Sequence, residues 1–469
     1  METKQRGSFT GSLGFILAAA GSAVGLGNLW RFPIVAAKDG GALFLLIYIL
    51  LTITFGFALL TTEIAIGRKT QSAPVLAYGM LDKRFGFLGS VATLVPIMIL
   101  PYYCVIGGWV SKYAFSYLTV NSFEIYENGT AGFFTSFITA QWEPIIWFLV
   151  FLGITALVVS LGVEKGIEGL SKVLMPALFI LVIGIAIYSL TLSHTDANGV
   201  TRTALEGLKV YLIPDFSGIT LSKFLTILLD ATGQMFYSLS IAMGIMITYG
   251  SYSKKDTNLV KSVNQISLFD TGVAFIAGLI IIPTVFAFQG YEGLNTAGPS
   301  LMFISLPSIF EQMGGIGSIV GALFFLLVFF AALTSSISLF EAVASCLIDK
   351  HHISRKVATI ICLIGSILIG LTVCLGYNAL YFELTLPNGS TGQILDLLDY
   401  ISNNIMLPVV AFITCLLVAW FNEPSMILDE VAQGMEGVDF KRKGLYIVMM
   451  RFVAPVLLVI ILFQAFSIF

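Results

Sequence analysis

The residues able to do chemistry in this chain lie inside its apolar stretches. The run Ala20-Gly21-Ser22-Ala23-Val24-Gly25-Leu26-Gly27-Asn28-Leu29-Trp30-Arg31-Phe32-Pro33 sets glycines, an Asn and an Arg where an uninterrupted membrane helix would otherwise continue. Each glycine costs about 0.8–1 kcal/mol against alanine in a helix interior, and a charge at bilayer depth costs more. Backbone that leaves the helix inside a membrane is tolerated only where it is buried in protein or lines a cavity. The run therefore reads as a broken helix beside a binding site. A second interruption, Gly233-Gln234-Met235-Phe236-Tyr237-Ser238-Leu239-Ser240-Ile241-Ala242-Met243-Gly244, falls at the middle of another apolar stretch.

Broken half-helices suit a particular ligand. Free N–H groups at a half-helix start attract a carboxylate, freed carbonyls attract a cation or an ammonium, and a zwitterion satisfies both. Gly25 and Gly27 let backbone approach a ligand with no Cβ in the way, and Asn28 offers an amide oxygen to a hard cation. Downstream, Phe329-Phe330-Ala331-Ala332-Leu333-Thr334-Ser335-Ser336-Ile337-Ser338 clusters hydroxyls in an apolar helix. Two readings of that cluster stand: hydroxyls bonding back to carbonyls of the preceding turn, or an oxygen-ligated site for sodium. Four acids, Glu63, Asp270, Glu341 and Asp399, interrupt apolar sequence, where a charge is costly and marks function. Asp270 ranks first among them. Glu341 reads as paired with a neighbour, and Glu63 as an acceptor for backbone N–H groups of a broken helix.

The elements that must position these residues are membrane spans. Hydrophobic residues make up 57% of the 469 and charged residues 11%, and mean hydropathy is +0.94, which marks a polytopic membrane protein. Eleven stretches are long enough to cross roughly 30 Å of hydrocarbon: 12–37, 41–67, 87–119, 144–162, 167–192, 222–250, 260–289, 316–348, 355–376, 392–420 and 445–467. Lys4, Arg6, Arg68, Lys69, Lys83, Arg84, Lys165, Lys172, Lys254, Lys255, Lys261, Lys350, Arg355, Lys356 and Lys441 to Lys443 fall on one side, against Lys38, Arg202, Lys209 and Lys223 on the other. The positive-inside rule places the N-terminus in the cytoplasm and the C-terminus outside, in a plasma (inner) membrane. No cleavable signal peptide is expected, because apolar sequence runs past signal length. The longer connections, 193–221 and 421–444, suit short amphipathic helices.

Interruptions in the first and sixth spans imply two five-span units, 1–192 and 193–420, the second entering from the opposite face, with 421–469 carrying the eleventh span. Cys104, Cys346, Cys362, Cys374 and Cys415 lie in spans and read as buried thiols without a disulfide role. His194, His351 and His352 lie in connections, no metal-ligand spacing occurs, and no basic block suggests nucleic acid.

Together, AGSAVGLGNLWRFP, the Tyr102-Tyr103 pair, FYSLSIAMG followed by TYGSYSKKD, and AALTSSIS resemble the neurotransmitter:sodium symporter family in its bacterial eleven-span form. The similarity covers essentially the whole chain. It implies an all-α polytopic fold with a 5+5 inverted repeat, unwound first and sixth helices and an added eleventh helix. It further implies a first sodium site from Ala23 carbonyl, Asn28, Ser238 and Asp270, touching the substrate carboxylate. A second site would use the carbonyls of Gly21, Val24 and Ala331 with the hydroxyls of Thr334 and Ser335.

By the same resemblance, the substrate carboxylate meets amides around Leu26 and Gly27 and the Tyr103 hydroxyl, and its amine meets carbonyls of Ala23, Tyr237 and Ser238. Gly25 stands where monoamine carriers place Asp, which implies an α-amino acid. The side-chain pocket of Ile99, Tyr103, Tyr237, Ser240, Met243, Ser335 and Leu339 implies a neutral, hydrophobic one. Arg31 and Asp399 form the outer ion-pair gate with Tyr237 as lid, and Arg6, Tyr252 and Asp349 the inner gate. Phe9, Ala242 and Ser22 depart from residues common in the family, namely Trp, Gly and Asn. Asp270, where animal members carry Asn, implies independence from chloride. The resulting expectation is a sodium-coupled amino acid importer working by alternating access, with no obligate protein partner. A sodium-dependent sensor with little transport is the rival; an intramembrane enzyme lacks any nucleophile and base pair, and paired gates disfavour a passive channel.

Overall fold

The structure is a computed structural model that describes residues 7–119, 122–127, 129–214, 216, 219–296, 298–435 and 440–467. Among the described residues, nine helices are long and apolar enough to cross a membrane: Ala42–Thr70, Lys83–Leu118, Glu143–Ser160, Val163–Ser189, Leu259–Gly293, Gly315–His351, Arg355–Leu375, Ile394–Phe421 and Lys443–Ala465. The pair Ser12–Ala23 and Gly27–Lys38 makes a tenth span, bent by 51° at its break. Over the stretch read as the sixth span, Leu221–Ser238 and Ile245–Gly250 form a second interrupted element.

Both breaks follow from local chemistry. Val24 is extended (φ −76°, ψ 101°) and ends the first half-helix, and a π-helical turn over Gly27–Arg31 starts the second. The freed N–H of Gly25 donates to Asn28 Oδ1 at 2.9 Å, and Gln234 Nε2 donates to the Gly27 carbonyl at 3.0 Å. In the sixth span Ser240, Ala242 and Gly244 take φ of 54°, 63° and 72°. Positive φ is uncommon for residues with a Cβ and persists only where surroundings impose it. Here the imposing contact at Ala242 is Glu63, whose Oε1 accepts the Ala242 N–H at 2.6 Å, the scaffolding role read for that acid. Ala242, the departure from glycine, thus sits at the strained point of the break.

Long helices Lys83–Leu118 and Gly315–His351 pack along one another and against the broken spans, placing their middles at the site. The amphipathic connections are Ala204–Leu212, opened by a Thr203/Glu206 capping box, and Ser425–Ala432. Arg68 at the end of the second span ties the latter down through a buried ion pair with Glu430 at 2.7 Å and a bond to the Thr257 carbonyl at 2.6 Å. Two short antiparallel pairs, Ser193–Thr195 with Thr201–Thr203 and Leu384–Thr385 with Thr391–Gly392, lie in connections and have no counterpart in the sequence reading. All five cysteines are buried and unpaired by disulfides.

Candidate functional site

At the first break, oxygen atoms converge. Asn28 Nδ2 donates to Asp270 Oδ1 at 2.7 Å and to Ser238 Oγ at 2.9 Å, and Ser238 Oγ donates to the same Asp270 oxygen at 2.6 Å. Tyr48 OH donates to the other carboxylate oxygen at 3.1 Å. All four side chains are buried. Sequence reasoning placed three of them and missed Tyr48; a lone tyrosine in the apolar run Ala42–Leu51 was the available signal, since a buried Tyr hydroxyl needs a partner. Gln234, a buried amide in an apolar helix, was missed as a partner of Gly27 for want of the same reasoning.

Span eight answers its two readings differently for different residues. Thr334 Oγ1 bonds back to the carbonyls of Phe330 and Ala331, both at 3.1 Å, and Ser336 and Ser338 bond back likewise. Ser335 instead crosses to the broken span, its Oγ lying 3.4, 3.1 and 3.3 Å from the carbonyl oxygens of Gly21, Ser22 and Val24. At Gly21 an added Cβ would lie 3.2 Å from Thr334 Cβ, so the two helices touch where the carbonyls of Gly21, Val24 and Ala331 and the hydroxyls of Thr334 and Ser335 gather.

Between these clusters lies a small cavity, with ≈30 Å³ open to the centre of a water-sized sphere. The residues assigned to substrate, Ala23, Gly25, Leu26, Gly27, Ile99, Tyr103, Tyr237, Ser238, Ser240, Met243, Ser335 and Leu339, all line it, joined by Ser22, Asn28 and Ile245. The Leu26 N–H points to Tyr103 Oη at 3.4 Å. A Cβ at Gly25 would lie 2.7 Å from Ser335 Oγ and 3.1 Å from Tyr103 Oη, and one at Gly27 would lie 2.6 Å from the Tyr237 ring. Glycine is required at both positions by space. Its walls are apolar apart from backbone, hydroxyls and the Asn28 amide.

Tyr237 separates this cavity from a wider vestibule of ≈350 Å³ by the same measure, lined by Arg31, Asp230, Asn403 and Gln464 among others. The outer gate corrects an expectation. Arg31 is exposed and forms no ion pair with Asp399 among the described residues; its guanidinium lies 6.0 Å from the Tyr237 ring centre. Asp399 accepts instead from Tyr102 at 2.9 Å and Asn403 at 2.6 Å. Beside the vestibule, in the connection after the first span, burial and the neighbouring Asp230 carboxylate push the Asp39 carboxyl up to about 7.

The opposite side is sealed. Phe9 is buried against Phe15, Tyr249 and Tyr252, with ring centres 5.7, 5.7 and 6.2 Å away. Two members of the expected inner gate, Tyr252 and Asp349, lie on this side. Tyr252 OH donates to Glu341 Oε1 at 2.6 Å, and Arg355 grips Glu341 at 2.6 and 2.9 Å. Asp349 accepts the Ala73 N–H at 2.6 Å, and Arg6 lies outside the described residues. Glu341, read as a paired acid, is paired here with Arg355, the partner that spacing could not name.

A largely apolar chamber between two broken spans, sealed on one side and facing a vestibule across Tyr237 on the other, defines a multi-pass membrane carrier. The model of the Sodium:neurotransmitter symporter family matches residues 6–128 and 135–469, and the chain belongs to that family. It is 34% identical over 452 residues to the sodium-dependent transporter YhdH of Bacillus subtilis (strain 168), covering 96% of this chain and 95% of that protein. A sodium-dependent transporter of Haemophilus influenzae is 32% identical over 472 residues, with 98% of each covered. Among solved structures, MhsT in complex with L-phenylalanine superposes with a TM-score of 0.85 at 37% identity, covering 98% of this chain and 100% of that one. The protein is a sodium-dependent membrane transporter and not an enzyme.

Proposed function

We propose that the protein imports a neutral, hydrophobic α-amino acid together with sodium, by alternating access and without need of chloride. The observation that carries this reading is the Asp270–Asn28–Ser238 cluster set against a cavity with apolar walls and no acid of its own. A bare monoamine would find no carboxylate there, because Gly25 supplies none; an amino acid brings its own. Its carboxylate completes a sodium shell begun by Asp270, Ser238, the Ala23 carbonyl and Asn28, whose amide presents its oxygen after a half-turn. Its α-carboxylate also meets the Leu26 and Gly27 amides and Tyr103, and its ammonium the freed carbonyls of Ala23, Tyr237 and Ser238.

A second sodium ion bridges the first and eighth spans through Gly21, Val24, Ala331, Thr334 and Ser335. Release there frees the sealed side to open, so ion and substrate shift one shared equilibrium between states. Residues 1–192 and 193–420 act as the two inverted halves, with the N-terminus cytoplasmic, the vestibule outward and the C-terminus outside. The Asp270 carboxylate supplies the negative charge that an anion would otherwise provide. Support from relatives is the L-phenylalanine bound by MhsT.

The test is binding of the twenty amino acids to purified protein in sodium chloride, sodium gluconate and potassium chloride. Binding of apolar amino acids in both sodium salts and not in potassium is expected; binding indifferent to sodium refutes the reading. Uptake into proteoliposomes under a sodium gradient separates transport from the rival role of a sensor.

A further inference from the structure

Ile245 lines the cavity and was not among the residues that motifs assigned to it. It opens the helix Ile245–Gly250 and is buried, so its side chain forms a fixed part of the chamber wall. Its backbone has no room to retreat. At Gly244, φ is 72° and an added Cβ would lie 2.8 Å from Pro74 Cγ, so the chain there is already pressed against the helix Pro74–Leu81. Two residues earlier, Ala242 at φ 63° is anchored through its N–H to the buried Glu63. Branching at Cβ further restricts the Ile245 side chain about χ1. Met243, unbranched, is an adaptable part of the wall; Ile245 is a rigid part, on the broken span whose backbone is pinned at Ala242 and Gly244. The chamber is small, with ≈30 Å³ open to the centre of a water-sized sphere, and it must hold ammonium, carboxylate and side chain together.

Resting on the amino acid site proposed above, we infer that Ile245 sets the size limit of the chamber and that the preferred substrates are aliphatic α-amino acids of valine to leucine size, with aromatic side chains disfavoured and the indole of tryptophan excluded. The limit comes from a wall that cannot yield, so it acts on width beyond the β-carbon more than on polarity.

Sodium-dependent binding of leucine, phenylalanine and tryptophan is measured on the full-length protein and on Ile245→Val and Ile245→Ala. Wild-type protein is expected to favour leucine over phenylalanine by about tenfold or more, one methylene in an apolar pocket being worth about 10–200-fold. Ile245→Ala is expected to move the leucine-to-phenylalanine ratio at least about tenfold towards phenylalanine and to admit tryptophan, with Ile245→Val between. Should the alanine variant lose all binding, the valine variant decides, and a ratio within about twofold of wild type overturns the inference. Wild-type protein that binds aromatic amino acids as tightly as leucine refutes the size limit alone. Wild-type protein that binds no amino acid in sodium refutes the site reading and the limit with it.

Discussion

Replacing Asp270 by Asn removes one charge and almost no volume, which isolates the role of that charge. Asp270 accepts from Asn28 at 2.7 Å, Ser238 at 2.6 Å and Tyr48 at 3.1 Å. An asparagine keeps one oxygen facing Asn28 and Ser238 and turns its NH₂ towards Tyr48, whose hydroxyl can accept as well as donate, so the fold should hold. What is lost is attraction to a sodium ion among these oxygens. A unit charge pair about 4 Å apart at an effective dielectric near 20 gains roughly 4 kcal/mol. Allowing for residual dipoles, about 2–4 kcal/mol corresponds to roughly a 30- to 1,000-fold rise in the sodium concentration for half-maximal binding. The assay is sodium titration of amino acid binding in chloride and in gluconate. Chloride should partly restore the variant by supplying the missing negative charge, and it should leave wild type unmoved. Unchanged sodium affinity, or wild-type binding that itself requires chloride, would falsify the assignment of Asp270.

Other perturbations test separate parts of the structure. Gly25→Ala places a methyl 2.7 Å from Ser335 Oγ, and overpacking of about 1–3 kcal/mol should weaken substrate binding roughly 5- to 150-fold, whereas Gly272→Ala, with open space around it, should leave affinity unchanged; equal effects would mean the space at Gly25 is not limiting. Arg355→Gln leaves the Glu341 carboxylate buried beside Tyr252 without its cation, a loss of about 3–5 kcal/mol, and thermal melting should fall accordingly, with Glu341→Gln added to it restoring part of the loss. If the double variant melts below the single, the two residues do not act as a pair. The Asp39 carboxyl is raised from 3.8 to about 7, so between those values the folded protein keeps a proton that the unfolded chain releases, and stability falls as pH rises through that window. Asp39→Asn should remove that fall and melt higher than wild type at pH 8 than at pH 5; parallel pH profiles count against it.

What was legible in the sequence was whatever depends on residue type at a fixed place along the chain. Gly25 and Gly27 announced a broken helix because no other reason puts them in an apolar run, and the acids Asp270 and Glu63 announced buried partners because charge in hydrocarbon demands them. The cavity lining came from the resemblance to the family and not from residue type alone. Partners contributed by unmarked residues did not follow: Tyr48 and Ile245 are ordinary members of apolar helices, and only packing brings them to the site. The gates show a different limit. Arg31 and Asp399 form no direct ion pair here, and Asp399 is occupied by Tyr102 and Asn403. A transporter needs both arrangements to be close in free energy, so an ion pair that forms in only one of them cannot be deduced from residue identity. The buried Glu341–Arg355–Tyr252 cluster, by contrast, holds the sealed side shut through bonds of 2.6 to 2.9 Å. Opening that side must replace those bonds with water or new partners. The sealed side is thus held by fully formed charged contacts, whereas Arg31 and Asp399 beside the vestibule form no direct ion pair in this conformation.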